Sequence, residues 1–192
     1  MSSAASPLLV RHLNLLELAS HRAPILDLAC GNGRNGLYLI KHNIPVVFAD
    51  VDMLALEAVE DSLSTSDYRQ HKPLATLWSV DLEQRCSHPL QHRHFGGVIV
   101  FRYLHRALIQ SIRQALLPGG IIIYETFTVD QPKYGRPNNP AFLLGHGELQ
   151  EIFSDWDILH QFEGVIRKES NGGPQAISQI VAAKPVETGL TQ

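Results

Sequence analysis

Ile25-Leu26-Asp27-Leu28-Ala29-Cys30-Gly31-Asn32-Gly33-Arg34-Asn35-Gly36 reads as a short buried strand, a glycine-rich turn and the opening of a helix. The apolar run carries an acid near its end. Gly31 and Gly33 stand two apart, and Leu37, Leu39 and Ile40 follow at helical spacing. Glycines permit positive φ and let a ligand approach the backbone with no Cβ in the way. The helix start just beyond offers N–H groups with no intrahelical partner. A strand-turn-helix of this kind at the head of an α/β domain is a nucleotide-cofactor site in many folds.

Two cofactor chemistries fit the spacing. One is G-x-G-x-x-G, the dinucleotide fingerprint, which seats a pyrophosphate on the helix N-terminus. The other is D-x-x-x-G-x-G, with Asp27 four residues before Gly31. This second form resembles motif I of class I S-adenosylmethionine-dependent methyltransferases. S-adenosylmethionine has no phosphate; it has a sulfonium, an α-ammonium and a carboxylate. A carboxylate at Asp27 suits the ammonium and hinders a pyrophosphate, so the acid favours the second form.

Outward from the turn, strands alternate with amphipathic segments. Strands are expected at 25–29, 46–50, 74–80, 97–101 and 121–125, with helices at 34–42, 53–63 and 106–116. A helix over 8–20 precedes them and covers the sheet or the cofactor mouth. Pro118-Gly119-Gly120 reads as the turn before the fifth strand, and 148–153 as a short helix. The last two strands, 157–165 and 176–183, are joined through Gly172-Gly173-Pro174 with no helix between, so they should be antiparallel. The fold expected is α/β, a Rossmann-like doubly wound sheet of seven strands with an antiparallel terminal hairpin. It forms a single domain over 1–192.

Ligands of open α/β sheets bind outside the carboxyl ends of the strands. Three successive strands here lead into acids: Asp27, Asp50 and Asp81. Asp27 stands near the amino-acid end of the cofactor. Asp50 can accept from both ribose hydroxyls, since a carboxylate has two acceptor oxygens. Asp81 can meet the adenine amino group while Leu82 packs on the ring. Each acid alone also reads as an ordinary helix cap.

These landmarks together resemble a class I S-adenosylmethionine-dependent methyltransferase over most of the chain, and within that superfamily the small bacterial tellurite-resistance methyltransferases. The resemblance implies S-adenosyl-L-methionine as cofactor, with contacts at Asp27, Gly31, Gly33, Asp50 and Asp81. One departure is visible: where many relatives have an acid at the start of strand four, this chain has Phe95-Gly96-Gly97.

The substrate side should follow strands four and five. Arg102-Tyr103-Leu104-His105-Arg106 and Tyr124-Glu125-Thr126-Phe127 fall there. Methyl transfer from a sulfonium is an in-line displacement that needs positioning more than acid or base help. His105 and Glu125 are the candidate bases for an oxygen or nitrogen nucleophile. Their structural alternatives are a helix-start residue and a hydrogen-bonded core pair. Tyr103 is a candidate substrate contact, and Arg102 a ligand for the cofactor carboxylate or an anionic acceptor. The loop 130–147, rich in Pro, Gly and Asn, is a lid or substrate wall carrying Lys133, Tyr134 and Arg136, with Arg136 toward the substrate.

Composition bounds the rest. The 192 residues are 44% hydrophobic and 18% charged, with net charge −3. That is core enough for one domain and no cationic surplus for nucleic acid. Cys30 and Cys86 have no disulfide or metal spacing, and Cys30 reads as a small filler in the turn. Ten histidines include His88, His92 and His94, which read as solvated loop residues; no metal site is expected. No signal-peptide core or membrane-length apolar run occurs, so a soluble, cytoplasmic protein with a small-molecule partner is expected. The rival readings are a dinucleotide-dependent oxidoreductase and a non-catalytic S-adenosylmethionine-binding regulatory module.

Overall fold

In the computed structural model, described over residues 4–84, 88–167 and 173–186, seven strands form one sheet in the order β3-β2-β1-β4-β5-β7-β6. They are β1 (Ile25–Leu28), β2 (Val46–Asp50), β3 (Ala75–Ser79), β4 (Phe95–Phe101), β5 (Leu116–Phe127), β6 (Asp157–Arg167) and β7 (Pro174–Ala183). The first five are parallel where they pair, and β7 runs antiparallel to both β5 and β6. This is the class I methyltransferase arrangement. The terminal hairpin is inserted so that its last strand lies next to β5. Cys86, and Gly172 of the hairpin turn, lie outside the described residues.

Side chains alternate between two cores. One face buries Ile25, Phe48, Ile99, Ile123 and Val181 beneath helices α1 (Pro7–Arg11), α2 (Leu13–Ser20), α3 (Arg34–Lys41) and α4 (Met53–Ser64). The other buries Leu26, Val98, Ile122 and Ile180 beneath α5 (Arg106–Ala115) and α6 (Glu148–Ile152). A strand covered on both faces must be apolar throughout, and β1 is buried at all four residues, Asp27 included. Among the described residues no helix is long and apolar enough to cross a membrane.

Three local expectations need correction. The opening helix is two helices, broken at His12, whose φ of −112° and ψ of 21° leave the helical region. The third strand, expected over 74–80, spans Ala75–Ser79, because Arg69–Leu74 ahead of it is a 3₁₀ helix. Pro118-Gly119-Gly120 lies inside β5. Its turn is an excursion that shifts the β4–β5 register from Phe95↔Leu116 to Gly97↔Ile121, with Gly119 at φ 74°.

Gly96 explains the missing acid at the start of β4. A Cβ there would overlap the carbonyl oxygens of Ala19 and Ala23. The backbone leaving α2 crosses directly over the strand, and its approach takes the space a larger side chain would need.

Candidate active site

The site sits at the carboxyl edge of the parallel strands, where β1 delivers Asp27 and the turn delivers Gly31. Asp27 is 3% exposed, and its Oδ2 accepts the Gly36 N–H at 2.8 Å. Gly36 is the third residue of α3, whose N-cap, Gly33, has no side chain to offer. The strand acid therefore caps the helix across the turn. A Cβ at Gly36 would overlap the Phe48 ring and lie 2.8 Å from the carboxylate, so glycine is required there. Burial pushes the Asp27 carboxyl up to about 7, offset in part by the Gly36 N–H and by Arg34.

Asp50 ends β2 and holds the other side of the turn. Its Oδ2 accepts the Gly31 N–H at 2.8 Å and its Oδ1 the Asp52 N–H at 3.0 Å. Each oxygen keeps a lone pair for a hydroxyl donor. Gly31 has φ 52°, and a Cβ built on it meets nothing within 4 Å. Its backbone therefore faces open space that a side chain would fill. Gly33 has φ 68°, but a Cβ there would meet Val59 at 2.6 Å; this glycine serves helix packing rather than ligand access.

A cavity of about 570 Å³ opens over this turn, lined by Asp27, Gly31, Asn32, Asn35, Phe101 and Arg102 among others. Residues ahead of α1 hold one of its lining side chains: the Ser6 N–H donates to Asn35 Oδ1 at 2.9 Å, and Ser6 is buried. Cys30 is half-buried, and burial with Asp27 and Asp50 nearby pushes its thiol up, away from reactivity. Asp81 lies two residues beyond β3, exposed, its Oδ1 accepting the Glu83 N–H at 2.9 Å. Leu82 beside it is buried. Neither lines the cavity.

A second cavity of about 580 Å³ adjoins the first, lined by Glu83, Tyr103, Phe127, Arg136 and Phe142, with Arg102 as the wall common to both. Arg102 follows β4 with φ 62°, a conformation L side chains rarely adopt. Its Nη2 lies 3.0 Å from Glu125 Oε1, and its guanidinium sits 4.6 Å from the centre of the Phe127 ring. Nη1 is buried with no hydrogen-bond partner. Burial lowers the arginine's pKa, with Glu125 opposing.

Tyr103 points its buried hydroxyl toward the Glu83 carboxylate without well-formed hydrogen-bond geometry; burial and that neighbouring charge push the phenol up. Arg136 is exposed on the loop. The two candidate bases are placed elsewhere. Glu125 is 4% exposed, holding Arg102 with one oxygen and accepting from Gln179 Nε2 at 2.5 Å with the other. His105 is the N-cap of α5, caps nothing with its side chain and lines neither cavity.

The loop 130–147 is held at its base. Arg106 binds both carboxylate oxygens of Glu148, at 2.6 and 2.8 Å, and donates to the carbonyls of Ala141 and Leu143. Buried Gln131 donates to the Arg136 carbonyl and accepts the Ala176 N–H. Sequence reading missed both. A buried loop glutamine looks like any polar loop residue, and the arginine lay within a segment read for substrate binding. His88, His92 and His94 line a further cavity of about 390 Å³ beside Ser111 and Gln114, and no group of three metal-binding side chains occurs among the described residues.

Fold and site together define the class: a class I S-adenosylmethionine-dependent methyltransferase fold, with a cavity over the glycine turn. The tellurite resistance protein TehB profile matches residues 12–174, and the chain belongs to that family, which implies S-adenosylmethionine as methyl donor. It is 23% identical over 172 residues to the probable S-adenosyl-L-methionine-dependent methyltransferase TehB of Haemophilus influenzae, covering 84% of this chain and 57% of that protein. Over 112 residues it is 37% identical to ribosomal RNA large subunit methyltransferase G of Alcanivorax borkumensis, covering 56% of this chain and 28% of that one. The chain thus spans little more than half of one relative and under a third of the other. The crystal structure of TehB from Haemophilus influenzae superposes with a TM-score of 0.68 at 19% identity, over 90% of this chain and 62% of the other.

Proposed function

We propose that this chain transfers a methyl group from S-adenosylmethionine to a small molecule held in the second cavity. The observation that carries the reading is the pair of adjoining cavities at the carboxyl edge of the sheet, separated by Arg102. The first cavity and the turn that Asp50 holds beside it fit the cofactor. Gly31 gives open backbone, Asp50 has lone pairs for ribose hydroxyls, Asp27 faces an ammonium, and the orphan Nη1 of Arg102 suits a carboxylate. In this reading the adenine extends past the cavity toward Asp81 and Leu82, beyond the end of β3, and Gly33 shapes the turn.

When bound, the cofactor brings an activated methyl on a sulfonium. The chain's part is to fix the acceptor in line with it and exclude water. Phe127 and Phe142 offer apolar walls, while Tyr103 and Arg136 orient the acceptor. Glu125 acts through Arg102, fixing its guanidinium, and the acceptor arrives with its own lone pair available. His105 starts α5 outside both cavities. A net charge of −3 and a cavity of this size favour a small acceptor over nucleic acid.

Calorimetry should show binding of S-adenosylmethionine and S-adenosylhomocysteine and none of NAD. Turnover is then screened across small thiols, amines, carboxylates and metalloid oxyanions. Tyr103→Phe and Arg136→Ala should lower kcat while cofactor affinity stays within about threefold. Binding of NAD without either sulfur cofactor would overturn the reading.

A further inference from the structure

Arg102 is the wall between the two cavities, and its buried Nη1 has no hydrogen-bond partner. A guanidinium beside a carboxylate frequently grips it as a fork, two N–H groups to two oxygens. Glu125 has both oxygens to give, and an end-on fork through both Nη atoms would consume Nη1. The observed contact is single: Arg102 Nη2 lies 3.0 Å from Glu125 Oε1. The second oxygen, Oε2, is engaged instead by Gln179 Nε2 at 2.5 Å. Glu125 is 4% exposed, so water does not compete for either oxygen.

Gln179 stands directly across the β5–β7 ladder from Glu125. A carboxylate only accepts, so the glutamine must present its Nε2 and turn its Oε1 away. There Oε1 meets His160 Nε2 at 3.1 Å. Oε1 also only accepts, so the imidazole carries its proton on Nε2. Every donor in this run points toward Glu125. The run depends on a bulge in β6. An unbroken register from Asp157↔Ala183 would pair His160 with Ile180 and turn it to the other face of the sheet. The register steps between Ile158 and His160, with Leu159 as the extra residue, so His160 pairs with Val181 and shares the face of Gln179. A bulge that re-aims one side chain is a recurring feature beside functional sites. The His160 ring packs on its far side against His12, at the α1–α2 break, with ring centres 5.4 Å apart.

We propose that Gln179 and His160, which line neither cavity, are positioning residues of the cofactor site: they hold Glu125 to one contact with Arg102 and so keep Nη1 free for the carboxylate of the cofactor. This rests on the cofactor reading above. Without His160 the Gln179 amide is free to turn. Turned, it sets Oε1 against Glu125 with no proton between them, and the carboxylate is released to close the fork on Arg102.

The test is calorimetric titration of the whole chain with S-adenosylhomocysteine and with its decarboxylated analogue, which keeps the adenosine, thioether and amine. The ratio of the two affinities reads the carboxylate contact. In the parent it should favour S-adenosylhomocysteine by about tenfold or more, as a hydrogen bond to a charged group predicts, and Arg102→Ala should remove most of that preference. Gln179→Leu should cut the ratio about fivefold, with affinity for the analogue within about twofold of the parent's. Gln179→Met repeats the comparison with an unbranched side chain, and circular dichroism checks the fold of each variant. His160→Leu should cut the ratio about threefold, and His160→Gln, whose amide N–H reaches the place of Nε2, should return it to within about twofold. A parent ratio retained in both Gln179 variants, a loss shared equally by the two ligands, or His160→Gln no better than His160→Leu would each overturn the proposal and leave the cofactor reading standing. A parent that binds neither ligand, or an Arg102→Ala ratio equal to the parent's, would overturn both.

Discussion

Replacing Asp27 by asparagine should stabilise the protein at alkaline pH while weakening its hold on the cofactor. The carboxyl is pushed from 3.8 to about 7 in the folded chain, chiefly by burial. The folded state therefore keeps a proton between those values that the unfolded state releases. Stability from this group is fully present below about pH 4 and is lost as pH rises through 7. The difference is about 3 pK units, which is about 4 kcal/mol over the whole range and about 2.5 kcal/mol between pH 5 and pH 8. Asparagine keeps an oxygen for the Gly36 N–H but has no charge to desolvate, so its stability lacks this slope. Its amide donors find fewer partners than in water, at a cost of about 1–3 kcal/mol. The absolute gain at pH 8 is thus smaller than the change in slope. Urea unfolding of parent and Asp27→Asn at pH 5 and pH 8 gives the comparison, and the difference between variants cancels the titration of every other group. Cofactor affinity of the parent should rise with pH through about 7, as the carboxylate becomes available to the ammonium, and that of the variant should not. Parallel pH dependences of stability in the two proteins would refute the assignment of a buried, proton-holding Asp27.

Asp50→Ala should weaken S-adenosylmethionine binding roughly tenfold, the loss expected for a charged acceptor of hydroxyls, with the folded circular dichroism spectrum retained; unchanged affinity in calorimetry would leave Asp50 only its backbone contacts to Gly31 and Asp52. Arg106→Ala should loosen the loop, because one guanidinium holds Glu148 and two loop carbonyls. Hydrogen exchange over 139–148 should quicken roughly fivefold, about 1 kcal/mol of local stability, with β5 and β7 unaffected. Exchange equal to the parent's would show that the loop is held by its own packing.

The run from Ile25 to Gly36 fixed the start of the fold without help, because each local requirement there has a residue type that answers it. A strand buried on both faces needs continuous apolar residues, and a turn at positive φ needs glycine. The alternation of periods then set five parallel strands and their helices. A hairpin turn in place of a helix set the antiparallel end. Composition bounded the charge and the size of the domain.

What the sequence left open depended on neighbours distant along the chain. Nothing local says that Glu125 meets Arg102 and Gln179, since the three belong to β5, the end of β4 and the middle of β7 and meet only when β5 lies between β4 and β7. The same holds for Gly96, whose side-chain space is taken by backbone leaving α2, and for the break at His12. Arg106 reads as an exposed helix-start residue until the loop folds back and supplies it with a carboxylate and two carbonyls.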